Sequence, residues 1–510
     1  MSPHVSVDVL ICGAGASGLT LAIELARRGI RFRVIEKEPA PFRGSRGKGI
    51  QPRTLEIYED LGVVNRMLAT GGPYPHVRAH AADGSWSDAA AIEAAASSPA
   101  EPYGTPLMLP QFLTEGILRD RLAELGGQVE FGHALSAFTQ EAGGIVATVE
   151  GPSGPEAVRA RYLIAADGGR SAIRKALDID FPGKELGVRA VVADVTLSGL
   201  DRDAWHRFGD GDMQRQLAVC PLAGTDLFQI QAPVPLEGDV DLSVHGIAGF
   251  VRERSGRDDI HVHAVHWASA YKMSARLADR YRVGDVFLVG DAAHVHPPTG
   301  GQGLNTSTQD AYNLGWKLAA VIQGAPAPLL DTYEEERRPV AAGMLGLSTR
   351  MLDAMKQGSL RRTREVQQLD LGYAGSSIAL DAPARVETSL LAGDRAPDAM
   401  LRGAGGQPVR LFDLYRGPHW TLLGVDTSRT SVEPCDGVDT HVIGERDELR
   451  DSEGHFHAAY GLKSGDWVLV RPDGYVGAIV DSAHLPDLRA YMRSAGLSPR
   501  HATATTSAAA

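Results

Sequence analysis

Apolar residues in this chain gather into short unbroken runs. These runs alternate with stretches in which apolar residues recur every three or four positions. That is the pattern of buried parallel strands connected by helices. The opening shows it in full: VSVDVLICGAGASGLTLAIELARRGIRFRVIEKE. Val7, Val9, Leu10 and Ile11 predict a buried strand. Leu19, Ala22, Ile23 and Ala26 then share one face of a helix that Gly29 stops. A second strand over Phe32–Ile35 ends at Glu36. The change from strand to helix recurs twice. RYLIAADGGRSAIRKAL (161–177) predicts a strand over Tyr162–Ala165, the turn Asp167-Gly168, and a helix starting near Ser171 with Arg174 one turn in. GDVFLVGDAAHVHPPTGGQGLNTSTQDAYNLGWKLAAVI (284–322) predicts a strand over Val286–Val289 and a Gly- and Pro-rich loop after Gly290-Asp291. A helix starting near Leu304 follows, with Ala311, Leu314, Leu318 and Val321 on one stripe.

Residues 73–103 and 181–276 interrupt these motifs with strand-like runs such as VRAVVADVTL and LFQIQAPVPL. A helical stretch continues to about residue 368, and Pro, Gly and Ala enrichment over 372–397 marks a boundary. The tail, 391–497, reads β-α-β-β-α. HWTLLGVD (419–426) predicts a strand and DWVLVRPDGYVGAIVD (466–481) a hairpin turning at Pro-Asp-Gly. The fold class is α/β, with no internal repeat.

The first strand–helix–strand unit carries chemistry. In GAGASG, Gly13 allows the tight turn, Gly15 lets a pyrophosphate approach backbone amides at a helix N-terminus, and Gly18 permits close helix–strand packing. Glu36, 18 residues after Gly18, is placed to accept hydrogen bonds from a ribose. A plain turn with an accidental match is the bland alternative, but strand, helix, second strand and acid occur together. Cys12 reads as a small packing residue. This motif alone leaves FAD and NAD both open.

GAGASG with Glu36, Asp167-Gly168, and Gly290-Asp291 with its long tail occur in that order. With them, the chain resembles the single-component FAD-dependent aromatic hydroxylases (group A flavoprotein monooxygenases) over residues 5–345. SRGKGIQPRTLEIYEDLG (45–62) and LPQFLTEGILRDRL (109–122) are most similar to the aromatic polyketide hydroxylases and rifamycin monooxygenases. The resemblance implies a Rossmann-like FAD-binding domain of the glutathione-reductase type, discontinuous over 1–72, 104–180 and 277–345. It implies an inserted β-sheet substrate domain over 73–103 and 181–276, and a connecting helix and linker over 346–390. A thioredoxin-like domain over 391–497 and a disordered tail over 498–510 complete the expected organisation. A redox thioredoxin needs paired cysteines. Cys435 stands alone, so the tail domain is expected to be structural, buttressing the substrate domain or forming a homodimer contact.

FAD contacts are implied from Gly13, Gly15, Ala16, Ser17, Gly18, Glu36, Lys37, Arg46, Gln111, Arg119, Asp167, Gly290, Asp291, Pro298, Gly301, Gln302, Gly303, Leu304 and Asn305. Asp291, at a strand end, is suited to the ribityl chain. The amides of Gly301, Gln302 and Gly303, at a helix start, can stabilise negative charge on the reduced flavin. Pro297 and Pro298 stiffen the loop facing the ring. Arg46, Pro298 and Gly301 are the expected catalytic positions. Arg46 is assigned near the flavin ring and the nicotinamide donor, against the bland reading of a solvated arginine among Arg43, Lys48 and Arg53. The alternative for Asp167 is a turn aspartate. Phe208, Gln229, Trp267 and Tyr271 are candidate substrate-lining residues, although an aromatic in a strand is more often core.

The implied reaction is NAD(P)H- and O2-dependent hydroxylation of an electron-rich, polycyclic phenol through a flavin C4a-hydroperoxide. NADPH against NADH stays open. Baeyer–Villiger insertion or epoxidation uses the same chemistry, and a non-catalytic FAD-binding module is the alternative of another class.

Composition narrows the setting. The chain has 510 residues, 43% of them hydrophobic, enough for two or three domains. Net charge is −12, which argues against a nucleic-acid partner. Cys12, Cys220 and Cys435 are far apart, so neither a disulfide framework nor a cysteine zinc site is expected. His261, His263 and His266, like His294 and His296, lack a carboxylate or cysteine completing a metal set, so no metal is expected. No apolar run approaches the ~18 residues of a membrane span. The first strand begins too near Met1 to leave room for a signal peptide. A cytoplasmic enzyme with a small aromatic substrate is the expectation.

Overall fold

Strand Val5–Cys12 runs through the middle of an eight-stranded sheet, parallel to Phe32–Glu36 on one side and Gly154–Ala165 on the other. Val9, Leu10 and Ile11 are fully buried. Both sheet faces are covered, and the sequence therefore shows a continuous apolar run rather than alternation. Val286–Leu288 and Val129–Phe131 extend the parallel sheet outward, and Ala134–Glu141 and Gly144–Gly151 return as an antiparallel hairpin. This computed structural model describes residues 5–92, 96–209, 214–356, 363–385 and 390–500.

The parallel strands bring their carboxyl ends to one edge. The loops after Cys12, Glu36, Ala165 and Leu288 therefore gather there, where open α/β sheets bind ligands. Helix Ala16–Ala26 starts directly after the first of these loops, with Gly15 as N-cap. Gly13 has φ +113°, and a Cβ on it would fall 2.2 Å from the Ala166 carbonyl oxygen. A Cβ on Gly18 would fall 2.0 Å from the Gly13 oxygen. Only glycine fits at both.

A second eight-stranded sheet runs in the order His294–Val295, His261–Leu277, Gly183–Ser198, Phe228–Val234, Leu217–Pro221, Ala204–Phe208, His76–His80, Trp86–Ala89. Its strands alternate. Val191, Ala193, Val195, Phe208, Phe228 and Ile230 form one core with Ile247 and Val251 of helix Val244–Ser255. Strand periodicity turns Asp194, Gln229, Trp267 and Tyr271 to the other face.

Compactness divides the chain into two units. One comprises Met1–Ser97, Tyr103–Gly315 and Arg337–Leu369. The other comprises Ser98–Pro102, Trp316–Glu336 and Asp370–Ala510. The cuts differ from the expected domain borders. Residues 98–102 and 316–336 group with the tail, and the cut falls at 336/337, within helix Thr332–Lys356, rather than at 345/346.

Within the second unit, Trp420–Val425 pairs with Trp467–Val470, which turns back as Val476–Val480. The predicted hairpin is present. Val438–Ile443, parallel to Trp420–Val425, and four further short strands complete an eight-stranded sheet that the β-α-β-β-α reading did not contain. The unit buries charge as well. Glu336 accepts from Arg471 at 2.6 and 2.9 Å and from Lys317 at 2.6 Å, and Asp473 of the hairpin turn accepts from Arg471 and from the Trp316 indole. Buried charges tolerate this only when each is paired and hydrogen-bonded. Residues 498–500, expected in the disordered tail, lie within the described residues. The Arg500 amide donates to the Pro434 carbonyl and its guanidinium pairs with Asp436, while 501–510 lie outside the described residues. Among the described residues no helix is long and apolar enough to cross a membrane.

Candidate active site

At the carboxyl edge of the first sheet, a cleft of about 250 Å³ is lined by Gly15, Glu36, Arg46, Gln111, Glu115 and Arg119, among others. Glu36 holds the rim: one carboxylate oxygen accepts from the Ala14 amide at 3.0 Å and the other from the Glu38 amide at 3.0 Å. The first bond ties the acid at the end of one strand to the glycine loop at the end of its neighbour. Lys37, next in sequence, is exposed and does not line the cleft. Asp167 accepts from the amides of Ala172 (2.8 Å) and Ile173 (3.4 Å). It thereby caps the short helix Ala172–Ala176, whose N-cap is Ser171.

Arg46 sits on a strap, residues 42–48, stretched between the two sheets of this unit. One side of the strap is fastened to the second sheet. Asp194 accepts from the Ser45 amide at 2.7 Å and from the Ser45 hydroxyl, while Gln229 donates to the Ser45 carbonyl and hydroxyl. Phe42 meets Trp267 edge-on with centroids 5.4 Å apart. The other side is fastened to helix Gln111–Glu124. The Gln111 amide donates to the Gly47 carbonyl at 2.8 Å, and its side-chain oxygen accepts from the Gly47 amide at 3.1 Å. Ser45, Asp194 and Gln229 are fully buried, whereas Arg46 is exposed toward the cleft. Its positive charge acts in two directions, favouring the ionised forms of Asp291 and of Tyr271. Burial outweighs it at both groups and holds the Tyr271 phenol near 12.

The loop from 290 to 303 is braced from beneath. Asp310 accepts from His294 Nε2 (2.6 Å), the Gly290 amide (3.2 Å) and Arg337 Nε (2.8 Å), and His294 shares a further bond with His296. Burial pushes His296 down to about 3, so it stays neutral at physiological pH. Asn305 receives the Gln51 amide and donates to the carbonyls of Gly49 and Gly301. Gln302 donates to Gly300 and accepts from Gln368. Leu304 leans on the strap at Gly47. Pro298 is exposed and Gly301 has φ +65° at the turn before helix Gly303–Ile322.

These features fit a flavin dinucleotide. The glycine loop ends on a helix whose N-cap, Gly15, has no side chain to satisfy its first amides. Arg46 and Arg119 face the adjoining cleft. Residues 6–348 match the family described as FAD binding domain, and residues 389–495 match aromatic-ring hydroxylase, C-terminal. The chain belongs to the FAD-dependent aromatic-ring hydroxylases. It is 42% identical over 485 residues to a flavin-dependent monooxygenase of Mycobacteroides abscessus, covering 93% of this chain and 98% of that one. It is 35% identical to the 12-dehydrotetracycline 5-monooxygenase/anhydrotetracycline 6-monooxygenase of Streptomyces rimosus, covering 92% and 94%. The fold is similar to that of aklavinone-11 hydroxylase, solved with FAD and aklavinone, at a TM-score of 0.83 and 30% identity, covering 97% and 99%.

The hydroxylase is therefore a flavoprotein monooxygenase that binds FAD. It consumes O2 and draws on a reduced nicotinamide, directly or through a flavin reductase. Its sequence-predicted residues fall into two groups. Gly13, Gly15, Ala16, Ser17, Gly18, Glu36, Arg46, Gln111 and Arg119 surround the glycine-loop cleft or its floor. Gly290, Asp291, Pro298, Gly301, Gln302, Gly303, Leu304 and Asn305 form the second strand end and helix start. The side chains of Gln302 and Asn305 turn into the scaffold, so only their backbone is left to serve a ligand. Gln229, Trp267 and Tyr271 share the sheet face that carries the strap. Phe208 does not join them: it lies in the core against helix Val244–Ser255 and stacks on His80 at 4.3 Å. Its phase in the strand, opposite to that of Trp205, separates the two faces but does not say which of them meets the helix. Glu115, Ser45, Asp194 and Asp310 were missed. Ser45, Glu115 and Asp310 lie inside the motif stretches, but nothing local distinguishes them there, and the partners of Ser45, Asp194 and Asp310 stand 16 to 149 positions away.

His263 bonds the Ser198 hydroxyl. Among the described residues, Glu130, His133 and Glu156 come close enough to hold a cation, but Arg33 already bonds both carboxylates.

Proposed function

We propose that the hydroxylase adds one oxygen atom to a polycyclic phenol held between the second sheet and the flavin. The ADP half of FAD would occupy the glycine-loop cleft, and the ring end would reach the loop at 298–303. The observation that carries this reading is the strap. Arg46 is anchored to the second sheet through Ser45 and to the cofactor helix through Gly47, and its charge acts on both Asp291 and Tyr271.

Bound FAD supplies the redox and oxygen chemistry. The chain's own residues orient and exclude. The amides at 301–303, at the start of helix Gly303–Ile322, favour negative charge beside them. Tyr271, neutral across the physiological range, offers a hydroxyl to a substrate oxygen, and Trp267 a flat apolar wall. Arg46 would stabilise a phenolate or the nicotinamide phosphates. Two of the three relatives named above, acting on anhydrotetracycline and aklavinone, favour a fused-ring substrate. The FAD-binding and inserted-sheet organisation and a thioredoxin-like tail domain with a structural role belong to the same reading.

The test is NADPH and NADH oxidation at fixed oxygen across simple phenols, naphthoquinones, rifamycins and tetracyclic polyketides, with product masses and peroxide followed in parallel. Stimulated turnover with gain of one oxygen on an aromatic carbon is expected. Gain of oxygen with ring expansion or an epoxide would replace hydroxylation by insertion or epoxidation. Oxidation that no aromatic stimulates would overturn the substrate reading.

A further inference from the structure

Glu115 is buried in the wall of the cleft that faces the glycine loop, at 2% exposure. It stands one turn after Gln111 on helix Gln111–Glu124, and Gln111 donates to it at 2.8 Å. One carboxylate oxygen lies 3.7 Å from the point where a Cβ on Gly15, the N-cap of helix Ala16–Ala26, would sit. A protein acid thus stands beside the N-cap of helix Ala16–Ala26, whose first amides are those on which a dinucleotide-binding loop seats its diphosphate.

Two anions cannot share one water-poor site cheaply; one of them must be neutralised. The diphosphate of FAD is a diester and stays doubly charged throughout the physiological range, so the proton must go to Glu115. The surroundings allow it. Burial already pushes this carboxyl up to about 7, against Gln111, the Arg119 charge and the Ala16 amide, which favour its ionised form. Glu36, at the end of its strand, raises it further. Tyr58, on helix Pro52–Asp60, faces it as a neutral phenol. Glu38 and Arg46 line the same cleft.

We propose that Glu115 is a proton-coupled ligand of the FAD diphosphate. Binding draws one proton from solvent onto its carboxylate, the resulting O–H turns from competitor to donor, and release of FAD returns the proton. The proposal rests on placing the ADP half of FAD in this cleft.

FAD-free protein is titrated with FAD between pH 6 and 9, read by flavin fluorescence. Calorimetry in buffers of different ionisation enthalpy counts protons. For the wild type, Kd rises above pH 7 with a slope approaching tenfold per pH unit, and net proton uptake appears at pH 8. Glu115→Gln removes the uptake, flattens the slope and binds about tenfold or more tightly than wild type at pH 9. ADP-ribose, a diphosphate diester without the flavin, shows the same dependence on both proteins. A Glu115→Gln protein that keeps the wild-type slope, or a wild type that takes up no proton, overturns the proposal. Failure of the underlying placement looks different: ADP-ribose would not compete with FAD at all.

Discussion

Replacing Ser45 by alanine tests the strap. The Ser45 hydroxyl donates to Asp194 and accepts from Gln229 at 2.6 Å, and all three residues are fully buried. The substitution leaves the backbone bonds of the strap intact: Asp194 still receives the Ser45 amide at 2.7 Å, and Gln229 can still reach the carbonyl. What is lost is one hydrogen bond to a charged group, worth roughly 1.5–3 kcal/mol. The carboxylate oxygen is left without that donor in a space about the size of a hydroxyl, too small to admit water. The expected cost is therefore about 2–4 kcal/mol. Released flavin fluorescence during urea unfolding reports the unit that holds the cofactor, independently of the second unit. A double-mutant cycle with Asp194→Asn isolates the pair, and coupling of at least ~1 kcal/mol is expected. KM for the nicotinamide donor should rise in Ser45→Ala, because Arg46 is the next residue and loses its anchor. Single effects that add within about 0.5 kcal/mol, together with an unchanged KM, would refute the strap as a positioning device.

Three further outcomes are expected. Gly18→Ala drives a Cβ to within 2.0 Å of the Gly13 carbonyl oxygen in the loop that receives the diphosphate. The protein should purify with little flavin, and the absorbance ratio at 450 and 280 nm reads this directly. Asp310→Asn leaves Arg337 and His294 without their shared buried counter-charge. A loss of about 3–5 kcal/mol is expected, read as a large fall in Tm of the FAD-holding unit, and an unchanged Tm would contradict the bracing role. Glu115→Gln should alter the pH dependence of stability of the FAD-free protein. A folded pKa raised to about 7 means that the stability tied to protonated Glu115 is complete below pH ~4.5 and lost as pH rises to 7. The glutamine variant should then be more stable than wild type by up to about 3 kcal/mol at pH 8, with no advantage near pH 4.5. The difference between their denaturation midpoints across pH measures it.

What the chain determined by itself is local. A continuous apolar run, a glycine loop, a helix face and an acid at the next strand end lie within 32 residues, Val5–Glu36. Gly13 and Gly18 were readable because turn geometry and close packing demand glycine at that spacing. The helix starting at Gly303 and the Trp467–Val480 hairpin were readable for the same reason.

Tertiary structure decided the rest. Ser45 is polar and unremarkable until Asp194, 149 positions on, arrives from another sheet. Glu115 reads as a surface acid of an amphipathic helix until Gly15 and Ala16 close over it. Phe208 looked like a cavity wall because aromatic character says nothing about which face of a strand a residue takes; the sheet's register against helix Val244–Ser255 settled that. The unit boundaries behaved likewise: residues 98–102 and 316–336 pack with segments far away in sequence. Period and turn chemistry act over a few residues and leave their mark in the chain. Partner choice for a buried polar group is made by whichever distant segment the fold delivers, because only burial makes an unpaired charge or donor costly.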